Sequence, residues 1–159
     1  MNKIYFLLGS NIGNSKQQLD LAVTNIESEV GKVVGRSSIY QTAAWGKTDQ
    51  PDFLNQVIIV ATQLTAEKTL ATILAIEEKM GRVRTEKNAP RIIDIDILFF
   101  NKERILQKDL IVPHPEIQNR RFVLIPLNEV SPDFIHPVFN KTIHELLEAC
   151  TDELNVKKF

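Results

Sequence analysis

Two stretches of helical periodicity divide the strand-like runs of this chain and determine the order in which a sheet can be laid down. Residues 16 to 30 place Leu19, Ala22, Val23, Ile26 and Val30 on one helical face, with Gly31 as the stop. Residues 66 to 80 form a second helix behind an N-cap at Thr65, ended by Gly81. Strand patterns lie around them at 3 to 8, 32 to 42, 53 to 63 and 91 to 100, and Gly35 marks a bulge in the second. The order β-α-β-β-α-β predicts an α+β fold, a ferredoxin-like antiparallel sheet with helices packed on one face and C-terminal additions.

Those additions are a turn at 101 to 104, a brief strand near 105 to 106 and the proline-punctuated "VPHPEIQNRRF". A helix follows around 119 to 130, and a last one opens at "TIHE" and runs to about Leu154. Thr142 and Glu145 make a capping box at its start. With 159 residues and 43% hydrophobic content, the chain suits a single domain, 1–159, with a sizeable core. No internal repeat, low-complexity segment or linker interrupts it.

A formal net charge of −1 supplies no global field to draw in nucleic acid or membrane, so any anion site must be local. The single cysteine, Cys150, sits in an apolar helical pattern and reads as a buried thiol rather than a nucleophile. No His/Cys cluster has zinc spacing. The apolar run Ile4 to Leu8 is too short for a signal peptide or a membrane span. A reducing, cytoplasmic setting and a monomer are the expectations.

The last strand pattern, "RIIDIDILFF", carries two carboxylates in an apolar run. Side chains alternate along a strand, so Asp94 and Asp96 share one face, their Cα atoms about 6.6 Å apart. Ile93, Ile95 and Ile97 take the other face. Two like charges at this spacing need water or a cation between them. A solvated strand face and a metal platform are both consistent with the stretch alone.

Immediately upstream, "RVRTEKNAPR" gathers Arg82, Arg84, Lys87 and Arg91 against one Glu86. A solvated charged loop has this composition too, but here it feeds into the aspartate strand. Guanidinium groups bind phosphate oxygens bidentately, and paired carboxylates bind hard cations such as magnesium. Together they describe a site for a Mg-polyphosphate. A second grouping is Thr42, Phe53 and Asn55, bracketing a loop with Trp45. An aromatic ring beside an amide suits a flat heterocycle with donors and acceptors on its edge, although Phe53 also fits a core position. A third is His114, Arg120 and Phe122, where His114 lies between two prolines and is either a fixed contact or a surface histidine.

The segment "KNAPRIIDIDIL" resembles the signature of the 6-hydroxymethyl-7,8-dihydropterin pyrophosphokinase family: a basic residue, a small residue, Pro-Arg, two residues, then Asp-aliphatic-Asp. "LGSNIGN", "YQTAAWG" followed by "QPDFLNQV", "MGRVR" and "VPHP…NRRF" are similar to the family's other blocks, in the same order. The resemblance covers essentially the whole chain. It implies a folate-biosynthesis enzyme that moves pyrophosphate from MgATP to the pterin hydroxymethyl group, releasing AMP. By motif position it implies that Asp94 and Asp96 ligate two Mg²⁺ ions. It assigns Arg82, Arg84 and Arg91 to the phosphates, with Arg82, Arg91 and Asp96 as the catalytic set. Glu77, His114 and Arg120 fall on the nucleotide side; Thr42, Trp45, Phe53, Asn55 and Phe122 form the pterin site. The chain departs from many members at Asn88-Ala89, where they carry Trp-Gly, at Phe53, where they carry Tyr, and at Leu74, where some carry Gln.

Rival readings remain at this level. A nucleotidyltransferase or ordinary kinase also uses Asp-x-Asp with MgATP, but yields pyrophosphate or ADP. A ferredoxin-like RNA-binding module would display stacked aromatics with basic residues; aromatics are 7% of this chain, and the basic run adjoins aspartates that repel RNA.

Pro90 has a fixed φ that stiffens the approach to the strand, so Arg91 is the arginine best anchored beside the aspartates. Arg91→Ala is expected to lower kcat more than MgATP affinity, and Arg84→Ala to act mainly on KM. Single-turnover rates and nucleotide Kd values decide the assignment. Lost ATP affinity in Arg91→Ala with an unchanged chemical step contradicts it.

Overall fold

The structure is a computed structural model describing residues 1–43, 50–82 and 92–159. Its main sheet is built on β1 (Asn2–Ser10). This strand pairs antiparallel with β4 (Phe53–Thr62) on one side and β5 (Asp94–Phe100) on the other. Beyond β4 lie β2 (Lys32–Arg36) and β3 (Tyr40–Thr42), both antiparallel to it. The sequence reading had 32 to 42 as one strand. Its middle is interrupted at Ser37, whose hydroxyl accepts the Val57 N–H at 2.9 Å in place of a ladder carbonyl. The bulge expected near Gly35 is there as a register shift between Val33 and Gly35.

Helix α1 (Ser15–Glu29) is capped by the Asn14 side chain on Gln17 N–H, and α2 (Ala66–Lys79) by Thr65 on Lys68 N–H. Both pack on one face, against Ile4, Phe6, Leu8, Ile58, Val60, Ile95 and Ile97. Gly31 is required where the chain leaves α1, because a Cβ there would meet the Ala61 carbonyl oxygen at 2.1 Å. The other face is also covered. After the hairpin β6 (Ile105–Gln107) and β7 (Leu110–Val112), helices α3 (Arg121–Val130) and α4 (Ile143–Ala149) close over Tyr5, Leu7, Val57, Ile59, Leu98 and Phe99. The expectation of helices on one face is therefore incomplete. β1 and β4 are apolar on both sides, and that pattern requires two covers.

β5 is the edge strand beside β1 and carries a β-bulge. Tyr5 faces Phe99 and Phe6 faces Ile97, so Leu98 is the extra residue. The bulge places Leu98 and Phe99 on the same α3–α4 face, with Ile97 and Phe100 both on the other.

One expectation at the C-terminal end is corrected. The last helix stops at Ala149 instead of about Leu154, with Cys150 already extended at ψ 130. Residues 156–158 form β8 (Val156–Lys158), antiparallel to β3. A three-residue "VKK" carries no strand pattern of its own, and the partner strand supplies the ladder.

Between α3 and α4, His136 is buried at 2% exposure. Its Nδ1 accepts the Val138 and Phe139 N–H groups at 3.1 and 3.3 Å, and its ring packs between Phe99 and Phe139 at 5.4 and 4.6 Å. Burial pushes its pKa down to about 4. The unfolded chain therefore binds this proton more readily than the folded one between the ordinary value of roughly 6.5 and about 4. Stability is full above that window and falls as pH drops through it. His136→Asn keeps an acceptor without a titrating ring. Thermal melts from pH 7 to 4 are expected to show a lower starting Tm for the variant but a shallower decline; an unchanged decline contradicts the assignment.

Candidate active site

The register of the sheet brings the sequence-predicted residues together. Gly9 on β1 lies opposite Asn55 on β4 and opposite Asp94 on β5. One step along, Leu7 lies opposite Val57 and Asp96. Asn55, Gly9 and Asp94 therefore form a row across three strands, with Asn55 and Asp94 two strand spacings, roughly 9.6 Å, apart. All three face the α3–α4 side.

The gap in the middle of that row is a glycine. A Cβ at position 9 would stand 3.0 Å from Asn55 Oδ1 and 3.8 Å from Phe53 Cδ1. The missing side chain opens a floor between the amide and the carboxylate. A sequence signal was present, since glycine at the end of a strand run marks a close approach, but the strand pattern at 3 to 8 stops short of it. β1 in fact runs through Ser10, and the loop's Asn14 is spent on capping α1.

Over this floor lies a cleft lined by Gly9, Thr42, Phe53, Asn55, Arg120 and Phe122, reaching Asp94 and Asp96. Thr42 and Asn55 are buried at 3% each, and Asn55 Nδ2 donates to Thr42 Oγ1 at 3.2 Å. The amide is thus set edge-on to the cleft by its neighbour. Arg120 and Phe122 come from the start of α3, with the guanidinium carbon 5.8 Å from the Phe122 ring centroid, at cation–π range.

A second cleft wraps the outer edge of β5. Leu70, Leu74 and Glu77 from α2, Arg82, the β6–β7 turn at Lys108 and Asp109, Ile111, and His114 line it. Asp94, Asp96 and Arg120 line both clefts. The two aspartates therefore stand where the clefts meet.

Charge at this junction is organised by Arg82. Its Nη1 donates to Asp94 Oδ1 at 2.6 Å and to Glu77 Oε2 at 2.7 Å. Glu77 is 3% exposed and its Oε2 also accepts the Ile95 N–H at 2.7 Å. Burial raises the Glu77 pKa, against the Ile95 N–H and Arg82, which favour the carboxylate. Arg82 thus meets two carboxylates directly. Glu77, expected on the nucleotide side, lines that cleft and there holds an arginine and a backbone amide.

His114 is anchored by its N–H on the Leu98 carbonyl at 3.0 Å. Its Nδ1 accepts the Glu116 N–H at 3.1 Å. Burial, then the neighbouring Arg120, lowers its pKa and so favours the neutral ring. Trp45, Arg84 and Arg91 lie outside the described residues. Sequence reasoning missed Leu70, Lys108, Asp109 and Ile111, which carry no motif and meet only through the fold.

Asp94 and Asp96 fit a magnesium ion by donor chemistry. Both are hard oxygen donors on one strand face. Among the described residues no group of three or more Asp, Glu, His or Cys could hold a metal. An ion held by few protein ligands and completed by phosphate and water is the arrangement magnesium favours.

Residues 5–132 match the sequence model of 7,8-dihydro-6-hydroxymethylpterin-pyrophosphokinase (HPPK). A Methylorubrum extorquens protein named 2-amino-4-hydroxy-6-hydroxymethyldihydropteridine pyrophosphokinase is 40% identical over 148 residues, covering 92% of each chain. A Synechocystis protein of the same name is 41% identical over 147 residues, 91% of this chain and 75% of that one. The fold resembles wild-type Plasmodium falciparum HPPK-DHPS with a TM-score of 0.78 at 21% identity, over 93% of this chain. This chain spans 43% of that longer one. With the family model matched over most of its length and close relatives aligned nearly end to end, the chain belongs to the 7,8-dihydro-6-hydroxymethylpterin-pyrophosphokinase family.

Proposed function

We infer that this chain transfers a pyrophosphoryl group from ATP to the hydroxymethyl oxygen of 6-hydroxymethyl-7,8-dihydropterin, giving the pterin diphosphate and AMP, in folate biosynthesis. Family membership supports the reaction. The observation that carries its geometry is the sharing of Asp94, Asp96 and Arg120 by two clefts. A transfer between two bound molecules needs adjoining sites with the reacting atoms at their border.

The pterin takes the inner cleft, with its ring between Phe53 and Phe122 and its heterocycle edge on Asn55 and Thr42. The nucleotide takes the outer cleft, its base toward Leu70, Leu74 and Ile111. The pterin oxygen forms a bond to the β-phosphorus as the bond from that phosphorus to the departing AMP oxygen breaks. Such a transfer depends on alignment and charge stabilisation. Asp94 and Asp96 would hold two Mg²⁺ ions, which when bound neutralise phosphate charge and orient the attacking and leaving oxygens. Asp96 is suited to accept the proton of the pterin hydroxyl. Arg82, fixed beside Asp94, and Arg120, common to both clefts, meet the phosphates. His114, half-buried with its Nδ1 already accepting the Glu116 N–H, offers its other ring nitrogen to the nucleotide. Arg84 and Arg91 join this set on the strength of the motif, as does Trp45 on the pterin side.

We extend the reading to the rest of the molecule. The strand order β5-β1-β4 followed by β2 and β3, antiparallel throughout, supports the ferredoxin-like assignment of the core. A monomer with 1–159 as one pyrophosphokinase domain, in a reducing, cytoplasmic setting, belongs to the same proposal.

The test is product analysis. AMP is expected from MgATP only when the hydroxymethyl dihydropterin is supplied, in equal amount to the pterin diphosphate. ADP as the nucleotide product, or AMP release independent of the pterin, contradicts the reading and favours a kinase or nucleotidyltransferase.

A further inference from the structure

Helix α3 begins without a cap of its own. Its N-cap residue is Arg120, whose side chain makes no capping bond. A helix start leaves backbone N–H groups that need partners. The first of these, the Arg121 N–H, is taken by Asp152 Oδ2 at 3.0 Å, from 31 residues further along the chain. The other oxygen, Oδ1, accepts the Leu154 N–H at 3.0 Å. One carboxylate thus ties the start of α3 to the segment that leads into β8.

β8 in turn lies on β3, with Val156 opposite Thr42 and Lys158 opposite Tyr40. The Phe159 N–H continues the contact to the Ile39 carbonyl at 2.9 Å. The two structures held by this segment both line the inner cleft. Arg120 and Phe122 stand on one, Thr42 on the other. β3 is held by its ladder to β4, and Glu129 of α3 accepts from Ser38 and Tyr40, but the first turn of α3 lacks a local cap.

We propose that Asp152 is a positioning residue for the transfer reaction, setting the start of α3 so that the Phe122 ring stands at the right distance from the Thr42–Asn55 wall. The proposal rests on the reading of the inner cleft as the pterin site. Asp152 bonds the backbone N–H groups of Arg121 and Leu154, so it acts on the cleft through the backbone of Arg121, next to Arg120 and Phe122. A carboxylate also matches the positive end of the helix, so the bond is favoured by charge as well as geometry. The nucleotide cleft draws on α2, β5 and the β6–β7 turn besides Arg120, so it depends less on this contact.

Calorimetric titration of Asp152→Ala with 6-hydroxymethylpterin, in the presence of a non-hydrolysable ATP analogue, tests the proposal. Pterin Kd is expected to rise roughly five- to tenfold, the loss of about one capping bond, while the analogue's own Kd changes less than about twofold. Asp152→Asn retains one of two acceptors and is expected to give roughly half the free-energy effect, about threefold in Kd; it carries the test if the alanine variant fails to fold. A lowered Tm with wild-type pterin affinity, or equal losses for both ligands, overturns the positioning role. Failure of the wild-type protein to bind the pterin overturns instead the reading of the cleft.

Discussion

Glu77 is a carboxylate with 3% of its surface exposed, and the site depends on how that charge is met. Burying an ion is costly unless it is paired and its remaining lone pairs are bonded. Arg82 supplies the pairing, and the Ile95 amide supplies the second bond. Each has a structural consequence. The amide fixes the start of the edge strand β5, and the arginine is held where it also reaches Asp94. Removing one member of such a buried pair costs on the order of 3–5 kcal/mol, so the three groups stand or fall together. Arg82 also relieves the repulsion that two aspartates on one strand face would otherwise feel.

With the aspartates so placed, the sheet register does the rest. Antiparallel pairing sets Asp94, Gly9 and Asn55 in one row, and the glycine leaves room between a carboxylate and an amide. The separation of Asn55 and Asp94 is therefore two strand spacings, fixed by backbone hydrogen bonds. A loop cannot hold two groups at a set separation in this way. The opposite face of the same strand, Ile95 and Ile97, is packed in the core, so the platform cannot tilt without opening it.

Much of this was legible because it is local. Thr65 and Thr142 cap the helices they precede, and the i, i+3, i+4 spacing marks which face each helix buries. The shared face of Asp94 and Asp96 follows from strand alternation alone. What was not legible depends on partners far along the chain. β8 is a strand only because β3 offers an edge, and the last helix ends early as the chain turns to place Asp152 on α3. The second cover over Tyr5 and Phe99 was implied by apolar runs on β1 and β5, but nothing local said which helices would provide it. Glu77 was found by resemblance; its bond to Arg82 was not, because five residues of separation across a helix end carries no pattern.

The central claim is that the strand's paired carboxylates are the working surface between two separately bound substrates. Turnover of Asp96→Ala, measured at saturating Mg²⁺, ATP and pterin together with its melting curve and pterin Kd, tests it most directly. The account predicts a rate lower by roughly a hundredfold or more, with a near wild-type Tm and pterin affinity within a few-fold of wild type. Near-normal turnover in Mg²⁺ by a folded Asp96→Ala would contradict it.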